Sequence, residues 1–157
     1  IAIKQLMICL IGICKRDCIP RPSAKVQPMQ GLHLTADLHN CRCDSAWLLH
    51  AAQLGSACRS ATLAAGLQVV NEVFHTFPAS THGPGGVTAT LLLAESHLCI
   101  HTWPEHRAVT LDVYVCNFGG DHSAKARALM EALLALFEPH HTERHTLQRG
   151  AAPQLSP

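Results

Sequence analysis

A chain of 157 residues, 48% apolar and 15% charged, has the size of one domain and buries enough surface to fold without disulfides or metal. Its net charge of +1 with histidines neutral, and the lack of any Lys/Arg cluster, exclude a charge-built surface for nucleic acid. GPGG at 83–86 lacks the lysine and following helix of a phosphate-cradling loop.

Residues 1–28 read as upstream sequence, with the working domain, 29–157, starting at Met29. Lys4 and the run QLMICLIGIC look like the charged and apolar parts of a signal peptide. The run is short, however, Lys15-Arg16-Asp17 follows directly, and no A-x-A site appears. It also falls far below the roughly 20 residues needed to cross a bilayer.

From Leu32 the pattern is strongly local. LHLTADLH alternates apolar Leu32, Leu34, Ala36 and Leu38 with polar His33, Thr35, Asp37 and His39, as a half-buried strand does. Asp44 or Ser45 is a cap for one helix running through AWLLHAAQLGSACRSATLAA to Gly66. LQVVNEVFHTF, 67–77, returns to strand character, and PASTHGPGG, 78–86, is a loop by its proline and glycine content. VTATLLLAE, HLCIHTW and AVTLDVYVC follow as β-rich segments, the last two separated by the turn PEHR. Ser123 is placed to cap a helix over AKARALMEALLALFE, which presents Ala126, Leu129, Met130, Leu133, Leu136 and Phe137 on one side and ends before Pro139. TERHTLQRG reads as an added edge strand. The summary order β-α-β-β-β-α-β with one-sided helices predicts an α+β fold: a two-layer sandwich, an antiparallel sheet with both helices on one face.

Twelve histidines and eight cysteines raise a metal reading that their spacing does not support. No CxxC pair occurs, Cys41-Arg-Cys43 is too tight for a zinc knuckle, and His140-His141-x-x-x-His145 has no cysteine nearby. Reduced thiols and no metal are expected.

The chemistry concentrates in AESHLCIHTWPE, 94–105. Ser96 has no flanking glycines and sits in strand rather than at a strand-to-helix turn, so it is no hydrolase nucleophile elbow. A serine hydroxyl lying against its own preceding carbonyl can instead convert that peptide bond to an ester. Loss of the serine Cα proton then expels the Glu95 carboxylate by β-elimination, and hydrolysis of the dehydroalanine leaves a pyruvoyl group. A base is needed near Ser96. Strict pleating sets His97 and His101 on the face opposite Ser96, so a bulge or bend is required to bring either across.

GVTATLLLAESHLCIHTWPEHRAVTLDVYVC, 86–116, together with HLTADLHNC at 33–41 and FHTF at 74–77, resembles the bacterial S-adenosylmethionine decarboxylase proenzymes from about residue 31 to 138. The resemblance implies self-cleavage between Glu95 and Ser96, with Ser96 becoming a pyruvoyl cofactor. It also implies that His101 abstracts the proton in processing and that Thr88 stabilises the ester with its hydroxyl. The pyruvoyl ketone would condense with the substrate amine and take up the carbanion as carbon dioxide leaves, and Cys116 matches the acid that reprotonates the substrate carbon. Phe77 and Trp103 match aromatics on the adenine and sulfonium side of the site, and Glu105 matches a carboxylate for the ribose hydroxyls. Asp37, His39, Cys41 and His75 carry no assigned role. The chain departs from the family pattern with Thr88 in place of serine, CN at 116–117 in place of CG, and a longer loop between Phe77 and Gly86.

The implied reaction converts S-adenosylmethionine to its decarboxylated form, the aminopropyl donor for spermidine. Two alternatives stand beside it: a pyruvoyl decarboxylase of arginine or ornithine on the same fold, and an unprocessed, non-catalytic paralogue acting as a binding partner. The resemblance also implies a homodimer or a dimer of such dimers, located in the cytoplasm.

Overall fold

The computed structural model describes residues 30–81 and 83–150; the expectation for 1–28 lies outside them. Strands β1 (Gly31–His39), β2 (Val69–Thr76), β3 (Val87–Leu93), β4 (Ser96–Trp103), β5 (Ala108–Cys116) and β6 (His141–Arg149) form one antiparallel sheet in the order β2-β3-β4-β5-β1-β6. Helices α1 (Ala46–Leu49), α2 (Ala51–Ala64) and α3 (Ser123–Phe137) pack on one face. This is the expected α+β two-layer sandwich. Four strands lie between the helices rather than three, because 69–76 and each of the three following segments form a separate strand.

The pleat sorts the side chains. Leu32, Leu34, Ala36 and Leu38 of β1 are buried with Leu98 and Ile100 of β4 and Val109, Leu111, Val113 and Val115 of β5. Leu54 and Cys58 of α2 and Leu129, Leu133 and Phe137 of α3 close over them. Each fully buried Leu contributes about 1.5–3 kcal/mol, so this layer holds the sheet against the helices. Residues of opposite parity populate the other face: His33, Thr35 and Asp37 of β1, Thr88 and Thr90 of β3, His97, Cys99 and His101 of β4, Asp112 and Tyr114 of β5. Among the described residues no second layer covers it.

Two helix expectations need correction. The single helix over 46–65 is broken at His50, whose backbone is extended (φ −118°, ψ 106°). The Leu48 carbonyl accepts a hydrogen bond from Thr102 Oγ1 at 2.7 Å, so it is turned toward the sheet. Asp44 does serve the first turn, its Oδ1 accepting the Ala46 N–H at 2.9 Å, and Gly66 terminates α2 in the left-handed region (φ 76°). Ser123 is the first residue of α3 rather than its cap. His122 is the N-cap and makes no side-chain cap bond; Asp121, one residue further out, accepts the Ser123 N–H at 2.9 Å.

Arg107 fastens the layers at one end. In a left-handed conformation (φ 45°) after the 3-10 turn Pro104–His106, it donates through Nε to the Cys41 carbonyl and through Nη2 to the Cys43 carbonyl, each at 2.5 Å. The loop between β1 and α1 is thereby pinned to the start of β5.

Candidate active site

The residues singled out in the sequence fall into two groups at opposite ends of β4. At its start, Ala94 and Glu95 form the tight connection from β3. The Ala94 N–H donates to the Gln68 carbonyl and the Cys116 N–H donates to the Glu95 carbonyl, each at 3.0 Å. Ser96 pairs with Val115, which sets Cys116 beside the Glu95–Ser96 peptide. The carbonyl that would be attacked is therefore already polarised by a backbone donor. Glu95, Ser96 and Cys116 are all half-buried. Glu95 Oε2 is buried and has no hydrogen-bond partner among the described residues.

At the other end, Thr88 pairs with His101 across β3 and β4, and Thr88 Oγ1 lies 2.8 Å from His101 Nδ1. This pair opens into a cleft of about 370 Å³ also lined by Phe77, Gly86, Trp103 and Glu105. Phe77 and Trp103 are half exposed, at 50% and 48%, and the His75 ring meets Phe77 edge-on at 5.0 Å. Glu105 is exposed on the 3-10 turn. The loop from 78 to 86 comes this close because two glycines permit it. A Cβ on Gly85 would stand 2.0 Å from the Phe77 carbonyl oxygen, and one on Gly86 would stand 2.0 Å from that of Thr102.

Thus Thr88, His101, Phe77, Trp103 and Glu105 are brought together, and Glu95, Ser96 and Cys116 are brought together, but the two groups are apart within one chain. β4 pairs with β3 and with β5 without a register shift, so the bulge expected to carry a histidine across is not formed. Five residues of regular strand put His101 about 17 Å from Ser96. His97 is different. Although it points away from Ser96 along the pleat, it is the adjacent residue, and its Nδ1 comes to 3.5 Å from Ser96 Oγ.

Sequence reasoning passed over the partners of His97. Its Nε2 lies 3.9 Å from Asp112 Oδ1. Asp112 Oδ1 is also bonded by His33 Nε2, and Tyr114 packs 5.6 Å from both imidazole rings. The signal was present as polar residues alternating into the same face of β1, β4 and β5. Only the register of the three strands makes them neighbours. The five described cysteines are free. Burial, with Cys43 next in size, pushes the Cys41 thiol up to about 11; burial, then Glu72, pushes Cys58 up to about 12. Among the described residues no three His, Cys, Asp or Glu side chains gather as a metal site would need, and no helix is long and apolar enough to cross a membrane.

The chain is similar to known proteins. The family model described as S-adenosylmethionine decarboxylase matches residues 32–150. The S-adenosylmethionine decarboxylase proenzyme of Persephonella marina is 36% identical over 123 residues, covering 78% of this chain and 84% of that protein. The Aquifex aeolicus proenzyme is 33% identical over 126 residues, covering 80% and 85%. The crystal structure of the Aquifex aeolicus adenosylmethionine decarboxylase superposes with a TM-score of 0.68 at 31% identity, covering 82% of this chain and 98% of that one. With the sheet, the Glu95–Ser96 junction and the aromatic cleft in place, the chain belongs to the S-adenosylmethionine decarboxylase family.

Proposed function

We propose that the protein is a self-processing S-adenosylmethionine decarboxylase that cleaves itself between Glu95 and Ser96 and works as a homodimer. The observation that carries the reading is the Cys116 N–H held on the Glu95 carbonyl at 3.0 Å, next to the Ser96 hydroxyl. Attack by Ser96 Oγ places negative charge on that carbonyl oxygen, and a donor already aimed at it lowers the barrier. The amide C–N bond breaks as its nitrogen takes up a proton, leaving an ester. Removal of the Ser96 Cα proton then breaks the Cβ–Oγ bond, and Glu95 becomes the new C-terminus of the first chain. Dehydroalanine at residue 96 tautomerises and is hydrolysed, releasing ammonia and leaving the pyruvoyl ketone.

The residues present fit that group. Ser96 is its source, and the half-buried Cys116 thiol beside the cleavage junction is the acid that returns a proton to the substrate carbon. Once formed, the pyruvoyl group supplies the electron sink for decarboxylation. The cleft suits the rest of S-adenosylmethionine: half-exposed Phe77 and Trp103 offer faces to adenine and to the sulfonium, and Glu105 offers a carboxylate to the ribose hydroxyls. A free amino acid has no adenine or ribose for them to recognise.

The division of the site supports the homodimer. His101 lies far along β4 from Ser96 of the same chain, with Thr88 opposite it on β3. A second copy set face to face on the uncovered side of the sheet, with its strands reversed by the two-fold axis, would carry its His101 end over the backbone at the Ser96 end of the first. That face also exposes Val73, Leu92 and Leu147 at 66%, 47% and 47%, apolar surface that such a contact would cover. The reading places the reaction in the cytoplasm with the aminopropyl chemistry it supplies, in keeping with free thiols at the described cysteines.

Intact-mass measurement of the purified protein tests the processing. Two chains meeting at Glu95/Ser96, the second beginning in pyruvoyl, are expected, and Ser96→Ala is expected to remain one chain. Release of carbon dioxide from S-adenosylmethionine but not from arginine or ornithine is expected of the cleaved protein. Turnover of either amino acid instead would overturn the substrate assignment.

A further inference from the structure

Self-cleavage needs a group that takes the proton from the Ser96 hydroxyl as it attacks, and later returns one to the departing amide nitrogen. His101 of the same chain is about 17 Å away along a regular strand. The group in reach is His97, with Nδ1 3.5 Å from Ser96 Oγ. A serine O–H donates only to an unprotonated imidazole nitrogen, so Nδ1 must be bare and the proton must sit on Nε2. That nitrogen faces Asp112 Oδ1 at 3.9 Å, so the carboxylate lies on the side of the ring away from the serine.

The surrounding side chains agree on one arrangement. Arg149 Nη1 donates to His33 Nδ1 at 3.1 Å, leaving the His33 proton on Nε2, which is bonded to Asp112. Asp112 is thereby held in place on the side facing His97. Tyr114 packs against both rings, and the Arg149 guanidinium lies 5.4 Å from the centre of the Tyr114 ring. Across on β3, His97 pairs with apolar Leu92, so no opposing charge approaches from that strand.

We propose that His97 is a catalytic residue of the self-cleavage, the base and then the acid of the first step, and that Asp112 is its positioning residue; this rests on the processing reading above. As Ser96 Oγ bonds to the Glu95 carbonyl carbon, its proton passes to His97 Nδ1. As the C–N bond breaks, the same proton passes to the Ser96 nitrogen, and the ester is formed with His97 returned to its starting form. No oxidant, metal or second reactant is consumed.

The test follows cleavage of the full-length, freshly synthesised chain by intact mass. His97→Ala and His97→Gln are expected to slow cleavage about 100-fold or more, as loss of a general base does, with unchanged circular dichroism and oligomeric size. Imidazole in the buffer is expected to restore His97→Ala. Asp112→Asn is expected to slow the unaltered chain about 10-fold, yet to add nothing in the His97→Ala background. Cleavage of both His97 variants at the rate of the unaltered chain would overturn the inference and leave the processing reading intact. Slow His97→Ala that imidazole fails to restore, with normal His97→Gln, would assign a packing role and overturn it as well. An unaltered chain that never cleaves would overturn the processing reading first and this inference with it.

Discussion

A mixed-variant experiment decides whether the site is shared between two chains. The perturbation is a pair of single substitutions, Ser96→Ala and His101→Ala, made in separately tagged copies. Each alone is expected to stay uncleaved, the first for lack of the nucleophile and the second for lack of the Cα-proton base. The geometry sets the magnitude: about 17 Å of unbroken strand separates the two residues, against a hydrogen-bond reach of about 3 Å. No side-chain rotation closes that gap within one chain. In a dimer of one copy of each variant, Ser96 of the His101→Ala copy meets His101 of the Ser96→Ala copy, and one complete site forms. Random pairing of equal amounts puts about half of the His101→Ala copies into mixed dimers. About half of them should therefore cleave, and none of the Ser96→Ala copies. Denaturing gels read by tag report this directly. A doubled variant, Ser96→Ala with His101→Ala, co-expressed with the unaltered chain supplies the converse: about half of the unaltered copies should remain uncleaved. If every unaltered copy cleaves, and the single variants never complement, each chain completes its own site and the reasoning from strand length fails.

Other outcomes follow from particular contacts. Gly86→Ala would press a methyl group to 2.0 Å from the Thr102 carbonyl and disturb the hydrogen bond from the Phe77 N–H to the Gly86 carbonyl at 2.9 Å. A cost of about 3 kcal/mol or more is expected, read as a melting temperature lower by about 10 °C, and an unchanged melt would refute the packing described. Cys116→Ala is expected to cleave but to turn over poorly, since it keeps the backbone N–H on Glu95 and loses the thiol; normal turnover in a decarboxylation assay would remove Cys116 as the acid. The buried thiols set a pH limit on stability. Cys41 and Cys58 stay protonated in the fold up to about 11 and about 12, against 9.0 when exposed. Above pH 9 the unfolded chain therefore binds fewer protons than the folded one, and stability falls as pH rises from there. Urea titrations at pH 8 and pH 10 should show the loss, and Cys58→Ala should lessen it.

Much of this protein was determined by local sequence. Alternation in LHLTADLH specified a half-buried strand whose Leu32, Leu34, Ala36 and Leu38 are all buried in the structure, because a two-residue period admits one buried face. The apolar side of AKARALMEALLALFE specified the last helix, found at Ser123–Phe137, and the polar segment TERHTLQRG the edge strand, found at His141–Arg149. The dense motif of 94–105, with Cys116 beyond it, identified the family before any coordinates did. Tertiary structure decided what adjacency along the chain cannot express. The long helix breaks at His50, where Thr102 of another strand takes the Leu48 carbonyl. His101, though five residues from Ser96, is removed from it by the stiffness of a paired strand. Thr88, thirteen residues away from His101, is its direct partner across the hairpin. His33, His97 and Asp112 became one cluster only through the register of β1, β4 and β5, since hydrogen-bonded ladders rather than sequence distance fix which side chains of a sheet can touch.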